Sequence, residues 1–277
     1  MKDILIPYDF SEVAENALNY VQNFFKDVPV NIFLLSVYVS TPSKMIGERY
    51  NEEWFNKIDD SIEEELKKLA TLLNEQDKKH KYHAVIKSDS INNAIKQIVN
   101  DKKIDLIVTG TKGVHGLSEI FIGSNTMRMI NAIHNCAIMV VPTGYKYKPF
   151  QQIVFSTNYK KTFTIEELQV LLSITKLKRC LIEVVNLAGE EFLTEQQLKN
   201  KAKLKELFEE VEATYKKLDW QDSETSTIEK YMETSMRELL VLINHKNNFF
   251  NRLTEENVIK KSTFHTKTPL LILPEEV

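Results

Sequence analysis

Residues Asp105 to Thr126 read DLIVTGTKGVHGLSEIFIGSNT, and this stretch indicates the fold of the whole chain. It opens with the apolar run Leu106 to Val108, which is typical of a buried parallel strand. After the glycines, apolar residues at three-to-four spacing from Met127 to Ile133 predict a helix. Glycine is costly in regular structure, so its crowding here predicts unusual φ angles or close approach to a ligand. Four of the seven glycines of the chain lie in this stretch: Gly110, Gly113, Gly116 and Gly123.

The loop and the helix start that follows it predict an anion-binding cradle. Ser124, Asn125 and Thr126 open the helix, where free backbone amides and the positive end of the helix dipole attract negative charge. Lys112 and His115 lie in the same loop, either as phosphate contacts or as ordinary exposed polar residues. Tight turns also use glycines, and this simpler interpretation of the loop stays open.

Bulk composition limits the classes of protein that fit. A length of 277 residues favours two domains. Apolar runs are only strand-length, which predicts no membrane-spanning helix, and no signal-peptide pattern precedes the first strand. We therefore expect a cytoplasmic protein. A net charge of −3 argues against a nucleic-acid groove. Cys136 and Cys180 are expected to be buried free thiols.

Strands and helices alternate along the first half of the chain. Ser11 is predicted to cap the first helix, and Glu52 to Lys79 to form a long one. Alternation of this kind predicts an α/β fold with a doubly wound parallel sheet. The predicted strands are Lys2–Tyr8, Val30–Val39, Tyr82–Ile86, Leu106–Val108 and Ala137–Val141.

The pattern then restarts after a linker at Thr143 to Gln152. Ile153 to Asn158 lines up with Ile4 to Asp9, and Glu195 to Leu218 is predicted to form a second long charged helix. We interpret this order as a gene duplication that gives two similar tandem domains, 1–143 and 150–277. Further predicted strands are Cys180–Asn186, Leu239–Ile243 and Leu270–Leu273.

Gly110, Gly113, Gly123 and Ser124 form the pattern G-x2-G-x9-G-[ST], which resembles the nucleotide signature of the universal stress protein family. The first half resembles that family along its whole length, including the start ILIPYDFSEVAENAL and Ser36-Val37. A Walker P-loop, G-x4-G-K-[ST], does not occur. The resemblance implies two five-stranded sheets of order 3-2-1-4-5, like the adenine nucleotide alpha-hydrolases.

A ligand in such a sheet binds where the strand order reverses, here between the first and fourth strands. The resemblance implies that the ligand is ATP, with or without Mg²⁺. Asp9 has a second interpretation, as a helix-entry residue favoured by the dipole. By resemblance, the adenine and ribose would contact Pro7, Asp9 and Val37, and the ribose and phosphates Thr109, Gly110, Gly113, Gly123, Ser124, Asn125 and Thr126.

The second half departs from the pattern at the site. Asn158 stands at the position of Asp9, and Glu256-Asn257 at that of Gly123-Ser124, so we expect one nucleotide per chain. Members of the family pair their fifth strands across a dimer, and here Ile138–Val141 and Leu270–Leu273 are expected to pair within the chain as a pseudo-dimer. Whether the full chain forms a homodimer stays open.

The expected function is that of an ATP-binding regulatory protein of the stress response. It is not expected to be an enzyme beyond slow ATP hydrolysis, because neither H-x-G-H nor S-G-G-x-D, the adenylyl-transfer signatures, occurs. The alternative is an interaction scaffold on the same fold that binds no nucleotide.

Overall fold

The computed structural model describes residues 1–38, 52–111, 124–233, 237–244 and 267–275, with only the backbone described for 52–60 and Ser124. The chain divides into two compact units, Met1–Val108 and Thr109–Val277, with the boundary inside a strand. The domain limits 1–143 and 150–277 stay a prediction.

The first half alternates strands and helices in the predicted order. The central strands consist of apolar residues that are buried along their length, as expected for parallel strands covered on both faces. The elements are β1 (Asp3–Pro7), α1 (Glu12–Phe24), β2 (Asn31–Tyr38), α2 (Glu52–Gln76), β3 (Lys81–Ser88), α3 (Ile91–Lys102), β4 (Leu106–Thr111), α4 (Ser124–Ala132) and β5 (Ala137–Pro142).

The first five strands lie in the order β3-β2-β1-β4-β5, which confirms the order that the family resemblance implied. β1 is central and parallel to both neighbours, since Ile4 lies opposite Ile32 of β2 and Leu106 of β4. The strand order therefore reverses between β1 and β4.

A carboxylate fixes the amino ends of β1 and β4. Asp105 Oδ2 accepts hydrogen bonds from the backbone N–H groups of Lys2 at 2.6 Å and Asp3 at 3.0 Å. The Asp105 N–H donates in return to the Asp3 carbonyl at 2.9 Å. Charge-assisted bonds of this kind are about twice as strong as neutral ones, so this acid holds the register of the two strands.

The strands of the second half lie in the same relative order, β8-β7-β6-β9-β10. All of its described neighbouring strands are parallel. The elements are β6 (Gln152–Ser156), α5 (Ile165–Lys178), β7 (Leu181–Asn186), a 3-10 turn (Glu190–Phe192), α6 (Glu195–Leu207), β8 (Ala213–Lys217), α7 (Glu224–Glu233), β9 (Leu239–Ile243) and β10 (Leu270–Leu273).

The prediction of one long helix from Glu195 to Leu218 is wrong. α6 ends at Leu207, and Ala213–Lys217 forms β8, which pairs with β7 through Val184 opposite Tyr215. The lysines of β8 are exposed, so the segment lacks the apolar run of a buried strand. Its strand conformation is therefore stabilised by pairing with β7 and not by the strand propensity of its own sequence.

Glu238 has the same role at the amino ends of β6 and β9 as Asp105 has in the first half. Its Oε2 accepts from the N–H groups of Gln151 at 2.9 Å and Gln152 at 3.1 Å. Its own N–H donates to the Gln152 carbonyl at 3.2 Å. Glu238 is 5% exposed, so this carboxylate is more deeply buried than that of Asp105, which is half-buried.

β5 and β10 form an antiparallel pair, with Leu270 opposite Val140 and Ile272 opposite Ile138. Every residue of both strands is buried. The predicted pairing of these two strands within one chain is therefore confirmed.

Cys136 and Cys180 are both buried and free, as predicted. Burial raises the pKa of the Cys180 thiol to about 11, which leaves this thiol protonated and unreactive at neutral pH. Across the described ranges, every helix is too short or too polar to cross a bilayer.

Candidate functional site

The turn between β1 and α1 carries two of the predicted site residues. Pro7 ends β1, and the Tyr8 N–H continues the ladder by donating to the Leu35 carbonyl at 2.7 Å. Phe10 then adopts a left-handed φ of 59°, a conformation that costs a non-glycine residue about 1–2 kcal/mol. The Phe10 ring packs edge to face on Tyr8 with centroids 5.3 Å apart, a contact that offsets part of this strain.

Asp9 organises this turn through one oxygen. Its Oδ1 accepts from the Ser11 N–H at 3.1 Å and from the Ser11 hydroxyl at 2.5 Å. Ser11 Oγ in turn accepts from the Ala14 N–H at 3.3 Å, which confirms the predicted N-cap of α1. Among the described residues, Asp9 Oδ2 has no hydrogen-bond partner, and Asp9 is exposed. Asp9 therefore has a helix-entry role and still presents one oxygen to solvent.

The charge at this turn also affects its neighbour. Burial raises the pKa of the Tyr8 hydroxyl, with smaller contributions from the carboxylates of Glu15 and Asp9. Tyr8 therefore stays neutral at physiological pH, and the residue is 7% exposed. Its role here is packing against Phe10.

Val37 presents its backbone at the edge of the sheet next to this turn. The β1–β2 ladder ends at Pro7 opposite Leu35, whose carbonyl points toward β1. Because directions alternate along a strand, Val37, two residues further on, also directs its N–H and C=O toward the β1 side. β1 has ended there, so these two groups lie beyond the last rung of the ladder.

Thr109 and Gly110 are the next predicted site residues, near the end of β4. Thr109 is 8% exposed, and its hydroxyl donates to the Gly110 carbonyl at 3.3 Å. Gly110 is half-buried, and the strand continues to Thr111, whose carbonyl accepts from the Thr143 N–H at 3.2 Å. Thr109 therefore packs in the core and positions Gly110.

α4 begins at Ser124, as the sequence predicted for the helix after the loop. Asn125 is exposed, whereas Thr126 is 6% exposed. The first N–H groups of a helix have no partner within it, so the group of Thr126 that is available at this helix end is its backbone N–H and not its buried side chain. Gly113, Gly123 and the side chain of Ser124 lie outside the described residues, as do Lys112, His115 and Gly116.

The second half contains the same turn with one change of chemistry. Asn158 Oδ1 accepts from the Lys160 N–H at 3.0 Å, as Asp9 does from Ser11. Tyr159 has a φ of 56°, matching Phe10, and the Thr157 N–H donates to the Val185 carbonyl at 3.0 Å. An amide therefore replaces a carboxylate in an unchanged backbone. Glu256 and Asn257 lie outside the described residues.

A cavity of about 610 Å³ in the second half was not foreseen from the sequence. It lies at the carboxyl ends of β6 and β7 and includes Asn158, Asn186 and Trp220 in its lining. Its residues come from segments that are distant in the chain. The only local signal was the polar residue at the end of each strand, Asn158 and Asn186.

The strand order and the reversal between β1 and β4 define a doubly wound α/β protein. The sequence profile of the universal stress protein family matches residues 1–142, and the chain belongs to this family.

Several relatives share this similarity. Universal stress protein MJ0531 of Methanocaldococcus jannaschii is 32% identical over 144 residues, which cover 50% of this chain and 81% of the relative. Universal stress protein MJ0577 of the same organism is 30% identical over 152 residues, covering 50% of this chain and 94% of the relative. Both matches span half of the present chain.

A solved structure extends the likeness of fold to both halves. The universal stress protein from Archaeoglobus fulgidus superposes with a TM-score of 0.61 at 13% identity, covering 98% of this chain and 96% of that one. At this identity the likeness concerns the fold alone.

Proposed function

We propose that the chain is an ATP-binding regulatory protein of the stress response, with one nucleotide site in its first half. The observation that carries the proposal is that the G-x2-G-x9-G-[ST] loop follows β4, the strand beside the reversal of order next to β1. Ligands of open α/β sheets bind outside the carboxyl ends of strands at such a reversal.

The adenine and ribose end of the site is assigned to the end of β1 and to β2. The N–H and C=O of Val37, beyond the end of the β1 ladder, offer a donor and an acceptor to the edge of the base. Pro7, which lies opposite Leu35 at the end of the β1 ladder, has no N–H group that would compete for these partners. The free Oδ2 of Asp9 accepts from a ribose hydroxyl while Oδ1 holds the turn.

The phosphate end is assigned to the glycine loop and the start of α4. Gly110, Gly113 and Gly123 let the backbone approach the phosphates, and the amides of Ser124, Asn125 and Thr126 donate to them. Thr109 supports Gly110 from the core. Charge-assisted bonds contribute about 1.5–3 kcal/mol each, so three or four of them give micromolar affinity, about 8 kcal/mol. Mg²⁺, where it accompanies ATP, would be held by the phosphates.

The matched turns and the matched acids Asp105 and Glu238 support tandem domains at 1–143 and 150–277. In this proposal, the β5–β10 pair takes the place of the contact between subunits, as an internal pseudo-dimer in a cytoplasmic protein. In this proposal the second half retains the scaffold but not the ATP site, because Asn158 lacks the charge of Asp9 and because Glu256-Asn257 stand in the sequence at the position of Gly123-Ser124.

Two experiments test the ATP site. Purified protein is denatured and the supernatant is examined by mass spectrometry, where we expect released adenine nucleotide. Calorimetric titration of nucleotide-free protein is expected to saturate at one ATP per chain. Absence of binding in both experiments would favour the rival scaffold function, and two ATP per chain would show that the second half also binds ATP.

A further inference from the structure

The carboxyl end of α4 is held by a side chain from the second half of the chain. Asn244 directly follows β9, and its side-chain amide donates to the Ile130 carbonyl of α4 at 2.8 Å. The two residues are 114 positions apart in the sequence. Both lie in the compact unit Thr109–Val277, so the contact joins two elements of one unit.

This contact is buried and is fixed from the side of the second half. Asn244 is 6% exposed, and Ile130 is completely buried. The Asn244 N–H donates to the Leu273 carbonyl at 3.0 Å, which ties this residue to the end of β10. Removing one partner of a buried hydrogen bond leaves the other unsatisfied, which costs more than an average bond contributes. The position of α4 is therefore coupled to the ends of β9 and β10.

The Ile130 carbonyl is a group that α4 cannot satisfy by itself. The last four carbonyls of a helix have no partner within it, and Ile130 lies among the last four residues of α4, 129–132. Asn244 supplies a donor there, and the positive end of its amide dipole faces the negative end of the helix dipole. α4 has only nine residues, and a helix of this length is marginal by itself, so tertiary contacts decide where it lies.

The opposite end of α4 is the proposed phosphate site, where the amides of Ser124, Asn125 and Thr126 receive the phosphates. The helix spans only about 13 Å, so a shift at one end displaces the other. Binding groups have to be held within about 0.5 Å of their productive geometry. We propose that Asn244 is a positioning residue for the ATP site, because it holds the end of α4 and so sets the direction of these amides. This inference rests on the proposed function and gives the second half a part in the site of the first.

Ligands with and without phosphates test this role. Asn244→Ala is expected to weaken ATP binding by about five- to tenfold, the lower end of the range of about 5–150-fold for coupled sites. Adenosine lacks the phosphates that α4 receives, so its affinity should change by less than about twofold. Calorimetry measures ATP, and adenosine is measured as its competitor. Circular dichroism and the melting temperature verify folding.

Two further substitutions of Asn244 isolate its donor group. Asn244→Asp removes the donor and places a carboxylate against the negative end of the helix, so ATP binding should weaken more than in the alanine variant. Asn244→Gln retains a donor and should weaken ATP binding least. The order of these two variants tests the role of the donor even where the alanine variant does not fold.

Asn200→Ala is the matched control. Asn200 is 3% exposed, and its side-chain amide also donates to a backbone carbonyl, that of Tyr159, at 2.8 Å. This bond joins α6 to the turn after β6 and involves no residue of α4. Stability should fall at least as much as in Asn244→Ala, because Asn200 also accepts from Thr162 and Gln196. ATP affinity should stay within about twofold of the parent.

Hydrogen exchange of α4 provides a measurement that needs no nucleotide. Without ATP, the amides of α4 should lose protection in Asn244→Ala and keep the parental protection in Asn200→Ala. Unchanged protection of α4 in folded Asn244→Ala would overturn the proposal, as would equal losses of ATP and adenosine affinity. A parent protein that binds no ATP would refute the proposed function and this role with it, whereas ATP binding that folded Asn244→Ala leaves intact would refute this role alone.

Discussion

At the amino ends of the central strands, the two halves of the chain have the same contact between a carboxylate and the backbone. Asp105 and Glu238 each precede the fourth strand of their half and accept from two successive N–H groups at the start of the first strand. At the carboxyl ends, the halves share a backbone turn but differ in side chains, with Asp9 answered by Asn158. The contacts that hold the strand register lie at the amino ends of these strands and are the same in both halves. The change from a carboxylate to an amide lies at the carboxyl ends.

The largest effect is expected from the glycine that only the first half has. Gly123→Val places a β-branched side chain where a phosphate should approach, and should reduce ATP affinity by at least about a thousandfold. Isothermal calorimetry measures the loss, and circular dichroism verifies the fold. Gly144→Ala is the matched control outside the motif: Gly144 has a φ of 75°, so its substitution should reduce stability by about 1–2 kcal/mol and leave ATP binding intact. Unchanged ATP affinity in folded Gly123→Val would refute the loop assignment.

The next largest effect is expected from removing the carboxylate that both halves have at the amino ends of their central strands. Glu238→Ala leaves two amides without their carboxylate in a buried position and should reduce the free energy of unfolding by about 3 kcal/mol, whereas Asp105→Ala, at a half-buried position, should cost about 1.5 kcal/mol. Glu238→Gln retains one acceptor and should cost less than the alanine variant. Urea unfolding measures all three. If Asp105→Ala proved the more costly of the two, burial would not be what sets the strength of this contact.

A smaller effect is expected at the turn where the halves differ. Asp9→Ala should reduce the affinities for ATP and for AMP by similar factors of about ten, because the lost contact involves the sugar and not the γ-phosphate. Asp9→Asn introduces the residue type that the second half has at Asn158. It retains the acceptor for Ser11, so stability should stay unchanged while the affinities for both nucleotides fall. Calorimetry with each nucleotide decides. A loss confined to ATP would place Asp9 at the phosphate or metal end.

The smallest effect is a difference in acid sensitivity. Burial lowers the pKa of both His80 and His83 in the first half, so the unfolded chain binds protons more readily than the folded one. Their contribution to stability is complete above a pH of about 6.5 and is lost as the pH falls through the folded-state values. The described part of the second half contains no histidine. Hydrogen exchange should therefore show protection falling first in β3 and α2, and equal loss in both halves would contradict this.

Local sequence signals were sufficient for most of the fold. Apolar runs separated by amphipathic helices predicted the strands around β1, and a serine before the first helical face predicted the cap of α1. β8 was not predicted, because its two lysines are exposed and its strand conformation depends on pairing with Val184 of β7, which is distant in sequence. The strand propensity of a short segment carries no information about its pairing with a distant strand.

The site was foreseen only in part for a similar reason. The glycine spacing and Asp9 are visible in the sequence, but the direction in which Val37 points its backbone depends on register, and a slip of one residue would reverse it. That Thr126 is buried and Asn125 exposed also depends on packing of α4. Asn186 and Trp220 meet at one cavity only because β7 and β8 are neighbours.

The β5–β10 pair has a consequence for behaviour on dilution. A fully apolar strand at the edge of a sheet is open to pairing with other chains, and each of these two strands covers such an edge of the other. Two separate subunits joined in this way would come apart at low concentration. Here the partner strand is tethered at a fixed effective concentration, so the contact should survive at nanomolar protein.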